Sequence, residues 1–413
     1  MTKVSLTLRY FLKDLVLFTE YSQNPSEKSD VFLELDDKTP EINHHKFMTT
    51  PAVEPLKVGF LHEGLFPDGD VFRQTLGRAI ELRFDEALAR GEVDRPIELI
   101  EASGRGLPFG TAKAVQDAWV QLADAGALVI LGPGKTDNAI AVKPLFEEFG
   151  IPTINFPGTT KSRGEYGFHY QLGALYEDGP ILVRAIKAQG LGTVAVVRDK
   201  SPVGNEFFEY FVDACDREGM TILADVKCSP IATDFVDQAN IVKKSGAEAL
   251  VYLGYGQVLV PLTRAIRAAS VTIPRFTTTA GLHFYSKSPE EKAVLAGWIY
   301  VDMVDEDNKV LQHMATEIQR RWGLESASTM FGCLYDMATL AALGLSYATV
   351  YTPEGVKEGL DLVHHIPSAL GGQGTVMGFG PHERTALKGP DYLLLRQMTE
   401  ETTVRYRGSA IAP

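Results

Sequence analysis

Apolar positions along this chain take two alternating forms, short unbroken runs and longer stretches at helical spacing. The run at 56–61 opens the series, and residues 70–90 follow with apolar groups at Leu76, Ile80, Leu82, Phe84 and Leu88. A short run bounded by turn residues predicts a strand buried on both faces, and the longer spacing predicts an amphipathic helix. The alternation repeats as strand 97–102, helix 111–125, strand 127–131, helix 137–150 and strand 151–156. It restarts after residue 178, with helices at 179–189, 205–218, 234–245 and 258–269 and strands at 193–197, 221–226, 249–253 and 275–278. Past the apolar segment 298–302 come a helix at 308–322 and one at 330–347 that is apolar nearly all round, hence expected to be buried. A further helix runs from 352 to 363 and a last strand spans 392–397. This strand–helix alternation predicts doubly wound parallel sheets.

The stretch 126–160 shows how ligands could be held. Its first strand stops at Gly132-Pro133-Gly134, a turn, after which Asp137 or Asn138 can cap a helix. Pro144 kinks that helix or shortens its first turn, and Gly150 ends it. The second strand stops at Pro157-Gly158-Thr159-Thr160. Both loops lie at carboxyl ends of parallel strands, where open α/β sheets bind ligands. Thr136 and the first amides of the helix form an anion well, and the Gly158 amide, Thr159 and Thr160 add donors. Gly134-Lys135-Thr136 is no phosphate loop, because Val129 stands where that motif needs glycine. His62-Glu63 ends the first strand at the same edge and is a candidate for ligand contact. Segment 126–134 is echoed by 246–256, each preceding a helix, which suggests two lobes of one type facing across a cleft.

Composition narrows the function. Among 413 residues the formal net charge is -13, which argues against nucleic acid and anionic membrane surfaces as partners. Cys215, Cys228 and Cys333 have no metal-like spacing and read as buried, reduced thiols, which favours the cytoplasm. No run approaches the roughly 20 apolar residues of a membrane helix. Residues 1–55 read as an extension and linker without core character, disordered over 24–45 and lacking a secretion leader. Residues 1–47 are expected to be dispensable for folding, with Met48 as an alternative start. Neither G-x-S-x-G nor H-E-x-x-H is present, Gly104, Gly106 and Gly110 miss the dinucleotide spacing, and His364-His365 are expected on the surface. No catalytic residue, metal or cofactor is assigned.

From residue 56 to about 407 the chain resembles the type I periplasmic binding proteins, in particular the leucine/isoleucine/valine-binding family of ABC transporter receptors. The resemblance is carried by Leu131-Gly-Pro, Lys143-Pro-Leu-Phe-Glu-Glu-Phe-Gly-Ile-Pro, Gly204 after Asp199, Asp234-Phe235, Arg264-Ala-Ile-Arg-Ala-Ala, Tyr335-Asp336-Met-Ala and Gly374-Thr-Val with Phe379, in order and spacing. It implies an α/β fold of two doubly wound parallel-sheet lobes joined by three hinge crossings, near 172–173, 301–304 and 374–378. Lobe one would be 56–172 plus 304–373, and lobe two 173–303 plus 374–413. It also implies a non-catalytic protein that closes its cleft on a small amino-acid-like, amide or carboxylate ligand, with an ABC permease as partner. The alternative is a cytoplasmic ligand sensor of the same fold that regulates a partner protein. Carried over residue by residue, the family's site falls on Thr136 (or Lys135), Gly158, Thr159, Thr160 and Tyr255. A second cleft tyrosine aligns with Val203, and the acid that holds a ligand ammonium aligns with Ala280. The resemblance thus keeps a carboxylate-binding half and lacks the ammonium-binding half. The expected ligand is an amide, a carboxylic acid or a small aromatic acid, with Glu63, Glu101 or Asp199 as substitute partners for a positive charge.

Overall fold

The computed structural model describes residues 53–65, 68–281, 288–389 and 391–406. The N-terminal extension, with the disorder and alternative start expected of it, lies outside the described residues.

The first lobe forms as β1 Leu56–His62, α1 Gly69–Gln74, α2 Gly77–Ala89, β2 Ile97–Ser103, α3 Ala112–Asp124, β3 Val129–Leu131, α4 Thr136–Phe149, β4 Thr153–Asn155 and β5 Gly167–His169. Its strands pair in parallel in the order β2-β1-β3-β4-β5. Side chains alternate across each strand, so Phe60, Val129 and Leu131 join a core on one face while Leu61 and Ile130 join Trp119 and Phe146 on the other. The chain crosses at 170–174 into α5 Leu175–Ala188, β6 Thr193–Asp199, α6 Pro202–Glu218, β7 Thr221–Cys228, α7 Val236–Ser245, β8 Ala249–Leu253, α8 Leu259–Ala268, β9 Arg275–Thr277, α9 Pro289–Leu295 and β10 Trp298–Asp302. It returns through 303–308 to α10 Lys309–Trp322, α11 Thr329–Tyr347, α12 Pro353–Leu360, β11 Ile366–Pro367, β12 Val376–Met377 and β13 Leu387–Lys388. The last strands, β14 Leu394–Met398 and β15 Thr403–Arg405, complete the second sheet in the order β15-β14-β10-β9-β8-β6-β7. Among the described strands only β14 runs against the others, pairing antiparallel with β10 on one side and β15 on the other. The fold is therefore the expected pair of doubly wound lobes joined by three crossings.

Several boundaries differ from expectation for local reasons. The stretch 70–90 is two helices, because Thr75 leaves helical geometry at φ -124 and its hydroxyl donates to the Val71 carbonyl at 2.5 Å. Strand β5 has three residues, too few for a periodic pattern. The third crossing lies after Lys388 and not at 374–378. Strands β12 and β13 pair with β11, the Ala386 N–H donates to the His169 carbonyl, and Phe379 meets Phe168 edge-on at 4.9 Å. Residues 374–388 therefore cover the open edge of the first sheet, and lobe two regains the chain only at β14. Helix α11 is long and apolar enough to span a membrane, but 89% of its most apolar window is buried inside the protein, as a core helix requires.

The crossings are bound to one another. At the first, Gly173 has φ 73, and a Cβ there would come within 2.4 Å of the Thr279 hydroxyl oxygen, so both backbone and space demand glycine. Its N–H donates to the Met303 sulfur in the second crossing, and the Met303 carbonyl accepts the Gly371 N–H. The Gln171 side chain donates to the hydroxyls of Tyr176 and Tyr392, joining the first crossing to the segment that leads into β14.

Candidate functional site

The carboxyl ends of β1, β3 and β4 in one lobe face those of β6, β8 and β9 in the other. Between them lies a cavity of about 70 Å³. Lobe one contributes Leu65, Gly134, Lys135, Thr136, Phe156 and Gly158. Lobe two contributes Val203, Phe207, Tyr255, Thr279 and Ala280, while Leu172, Ala174 and Leu175 line it from the first crossing and Met330 from α11. Most of this lining is apolar.

Each loop is held from behind by a buried acid. Glu63 accepts the N–H groups of Gly134 at 2.6 Å and Lys135 at 2.7 Å and the Asn138 amide at 2.5 Å. Burial pushes its pKa up, against the Lys135 charge and those hydrogen bonds. Asp178, in the first turn of α5, accepts the Thr279 N–H at 2.7 Å. Asp199, at the end of β6, accepts the Tyr255 N–H at 2.7 Å and lies 2.6 Å from the Tyr252 hydroxyl, which donates to it. Burial raises both aspartates to about 6. A buried carboxylate that accepts several amide donors fixes a loop more firmly than solvent could.

This corrects part of the expected site. Thr136, Gly158, Val203, Tyr255 and Ala280 line the cavity. Glu63 does not: it occupies part of the anion well itself, taking amides next to the start of α4. His62 is buried beneath the loop, with Nε2 2.7 Å from Glu101, which also receives Arg73. Glu101 and Asp199 are likewise committed to protein partners. The Thr159 hydroxyl donates across the cleft to both carboxylate oxygens of Glu206, at 3.0 Å each. Thr160 starts a short 3-10 turn and is absent from the cavity lining. The hydroxyls expected to receive a carboxylate are thus reduced to Thr136.

The Tyr255 hydroxyl and Oδ1 of Asp137 are buried with no partner at hydrogen-bonding distance among the described residues; of the two residues only Tyr255 lines the cavity, and the Asp137 N–H faces its hydroxyl. Tyr255 is 6% exposed. Burial raises the pKa of Asp137 to about 6, while the Val203 N–H facing it and the Lys135 charge oppose the rise. The sequence marked Asp137 only as a helix cap. The structure makes Lys135 the N-cap, which puts Asp137 in the first turn of α4 facing lobe two. The position of the N-cap was the missing signal. The apolar wall formed by Leu65, Phe156, Phe207 and Met330 also went unforeseen, since these residues come from four separate segments. Histidines 364 and 365 are exposed, as expected.

The family described as "Periplasmic binding protein" matches residues 56–385. Among solved structures, a possible leucine/isoleucine/valine-binding protein from Rhodopirellula baltica has a TM-score of 0.73 at 14% identity, covering 88% of this chain and 100% of its own. The leucine binding protein LivK from Thermotoga maritima has a TM-score of 0.70 at 15% identity, covering 85% and 97%. The branched-chain amino acid transporter substrate binding protein LivJ from Streptococcus pneumoniae, in complex with isoleucine, has 0.69 at 16%, covering 86% and 99%. No curated protein matches. The cytoplasmic location expected from the N-terminal sequence gains no support from these matches, which lean toward an extracytoplasmic setting.

Proposed function

The chain belongs to the periplasmic binding protein family, and we propose that it is a non-catalytic receptor that closes its two lobes on one small solute and delivers it to an ABC permease. The observation that carries this reading is the cavity between the carboxyl-end loops of both sheets, lined by Gly134, Thr136 and Gly158 from lobe one and by Val203, Tyr255 and Ala280 from lobe two.

The solute is small and mostly apolar, with one hydrogen-bonding head. Leucine and isoleucine appear in the names or complexes of relatives, but here Val203 and Ala280 line the lobe-two wall. Neither offers a charge, so an amide or carboxylate-type ligand suits the wall better than a plain branched-chain amino acid. Hinge closure of a two-lobe clamp compacts the molecule.

The test is a solute library screened by thermal melting, with small-angle scattering on each hit. A true ligand at a hundredfold excess over its Kd adds about 2.7 kcal/mol to stability. Ala280→Trp, which fills the cavity, should abolish the shift. Hits that stabilise Ala280→Trp equally, or that leave the scattering profile of the wild type unchanged, would refute the clamp.

A further inference from the structure

We propose that Phe156 and Leu175 are specificity-determining residues of this cleft: they cover its two strand-end loops in lobe one, so that the cavity takes an uncharged, largely apolar solute and rejects an ionised one. The inference rests on the cleft reading above and narrows its solute to the uncharged members of that class.

The covering is read from the glycines beneath. The Phe156 ring lies so close to Gly134 that a Cβ added there would overlap Cε2 and Cζ of the ring, and it would also stand 2.9 Å from Cδ2 of Leu65. Leu175 rests on Gly158 in the same way, where a Cβ would overlap its Cδ1. Each cover is anchored by its own backbone. The Phe156 N–H donates to the Pro133 carbonyl at 3.1 Å, and the Leu175 N–H donates to the Gly158 carbonyl at 3.2 Å. Phe156 and Leu175 are both buried, and both line the cavity. A solute that enters therefore meets a phenyl ring and an isobutyl group beside the two loops.

The polar groups of those loops are committed to the protein. Glu63 takes the N–H groups of Gly134 and Lys135, and Glu206 takes the Thr159 hydroxyl. Lys135 is the one charged residue of the lining among the described residues. Its ammonium lies 3.5 Å from the Gly64 carbonyl, beside the Glu63 charge, which opposes the effect of burial on it. Thr136 brings a hydroxyl from lobe one to the lining. An ionised carboxylate would thus enter without the loop amides, and an ammonium would enter without an acidic lining residue. Burying either charge without its partners is strongly unfavourable. A neutral head on a hydrocarbon body loses less hydration and still gains the apolar wall. The cavity of about 70 Å³ favours a short body.

Calorimetry on the full chain tests this with four probes. Isovaleramide, isovalerate and leucine share one isobutyl group and differ in the charge of the head, whereas phenylacetamide keeps the neutral head and carries a ring. The wild type should bind isovaleramide at least about tenfold more tightly than isovalerate or leucine. Phe156→Ala replaces the covering ring by apolar space, so phenylacetamide should gain at least about tenfold relative to isovaleramide. Leu175→Ala uncovers the second loop and should move the same ratio in the same direction by several-fold, which provides a second variant if the first does not fold. Wild-type preference for isovalerate or leucine, or an unchanged ratio of the two amides in the variants that fold, would overturn the assignment. So would the absence of binding by all four probes. In that case other library solutes that stabilise the wild type but not Ala280→Trp would leave the cleft reading standing, and their absence would remove it as well.

Discussion

Removing the Glu63 carboxylate should cost stability and leave ligand contacts intact. Glu63 is 3% exposed, and its two oxygens accept two backbone amides and the Asn138 carboxamide. In Glu63→Ala those three donors lose their acceptor. Each orphaned buried donor costs about 1–3 kcal/mol, partly recovered where water enters, so the sum is about 3–6 kcal/mol. Glu63→Gln is milder. Its carbonyl oxygen can still serve Gly134 and Lys135, but its amide must face the Asn138 amide. Asn138 cannot simply flip, because its own oxygen accepts the Leu107 N–H at 2.9 Å. The expected loss is about 1–2 kcal/mol. Chemical denaturation gives both values, and the milder variant guards against a fold too marginal to measure. A Glu63→Ala protein within about 0.5 kcal/mol of wild type would refute the buttress, since that is the scatter of inert substitutions. Loss of ligand binding in Glu63→Gln with stability unchanged would return Glu63 to the ligand site.

Two further outcomes follow from the same geometry. Glu206 on α6 joins the lobes by accepting the Thr159 hydroxyl and pairing with Lys161 at 3.1 Å, so Glu206→Ala should open the ligand-free protein and weaken ligand binding several-fold, because only the closed fraction binds tightly; an unchanged radius of gyration would refute this. Stability should rise as pH falls from 7.5 to 5.5: Asp137, Asp178, Asp199 and Asp336 sit at about 6 in the fold, above their ordinary value, so the folded state takes up protons first. His169, held at about 4 by burial, acts in the opposite sense. Four carboxyls against one imidazole leave a net gain on the order of 2 kcal/mol, and a melting temperature that is lower at pH 5.5 would contradict it.

The sequence made legible whatever repeats locally. Unbroken runs such as Ala249–Leu253 matched their strand without error, since a strand buried on both faces needs no partner to be recognised. The loops at Gly132–Gly134 and 157–160 were placed correctly at the strand ends for the same reason. Illegible were features whose cause lies far along the chain. Residues 374–388 read as lobe two because the sequence did not reveal that Phe379 rests on Phe168. That pairing reaches across α5 to β10, the greater part of lobe two.

The acids show the deeper limit. Glu63, Asp199 and Asp137 look alike in sequence, each an acidic residue near a strand-end turn. Their roles diverge through the direction in which the backbone turns. Behind the loops, Glu63 and Asp199 find amides within hydrogen-bonding distance and become part of the frame. In front of the loop, Asp137 faces the opposite lobe, where the Val203 N–H approaches its carboxylate. An acid that satisfies the protein's own amides is unavailable to a solute, because replacing those bonds would expose donors that nothing else can serve. Ligand chemistry must therefore be read from the groups that the frame leaves unsatisfied. In this cleft the lining offers Thr136 from lobe one and Tyr255 from lobe two. A solute that bridges the two walls meets both only when the lobes are closed, which couples its recognition to closure of the clamp.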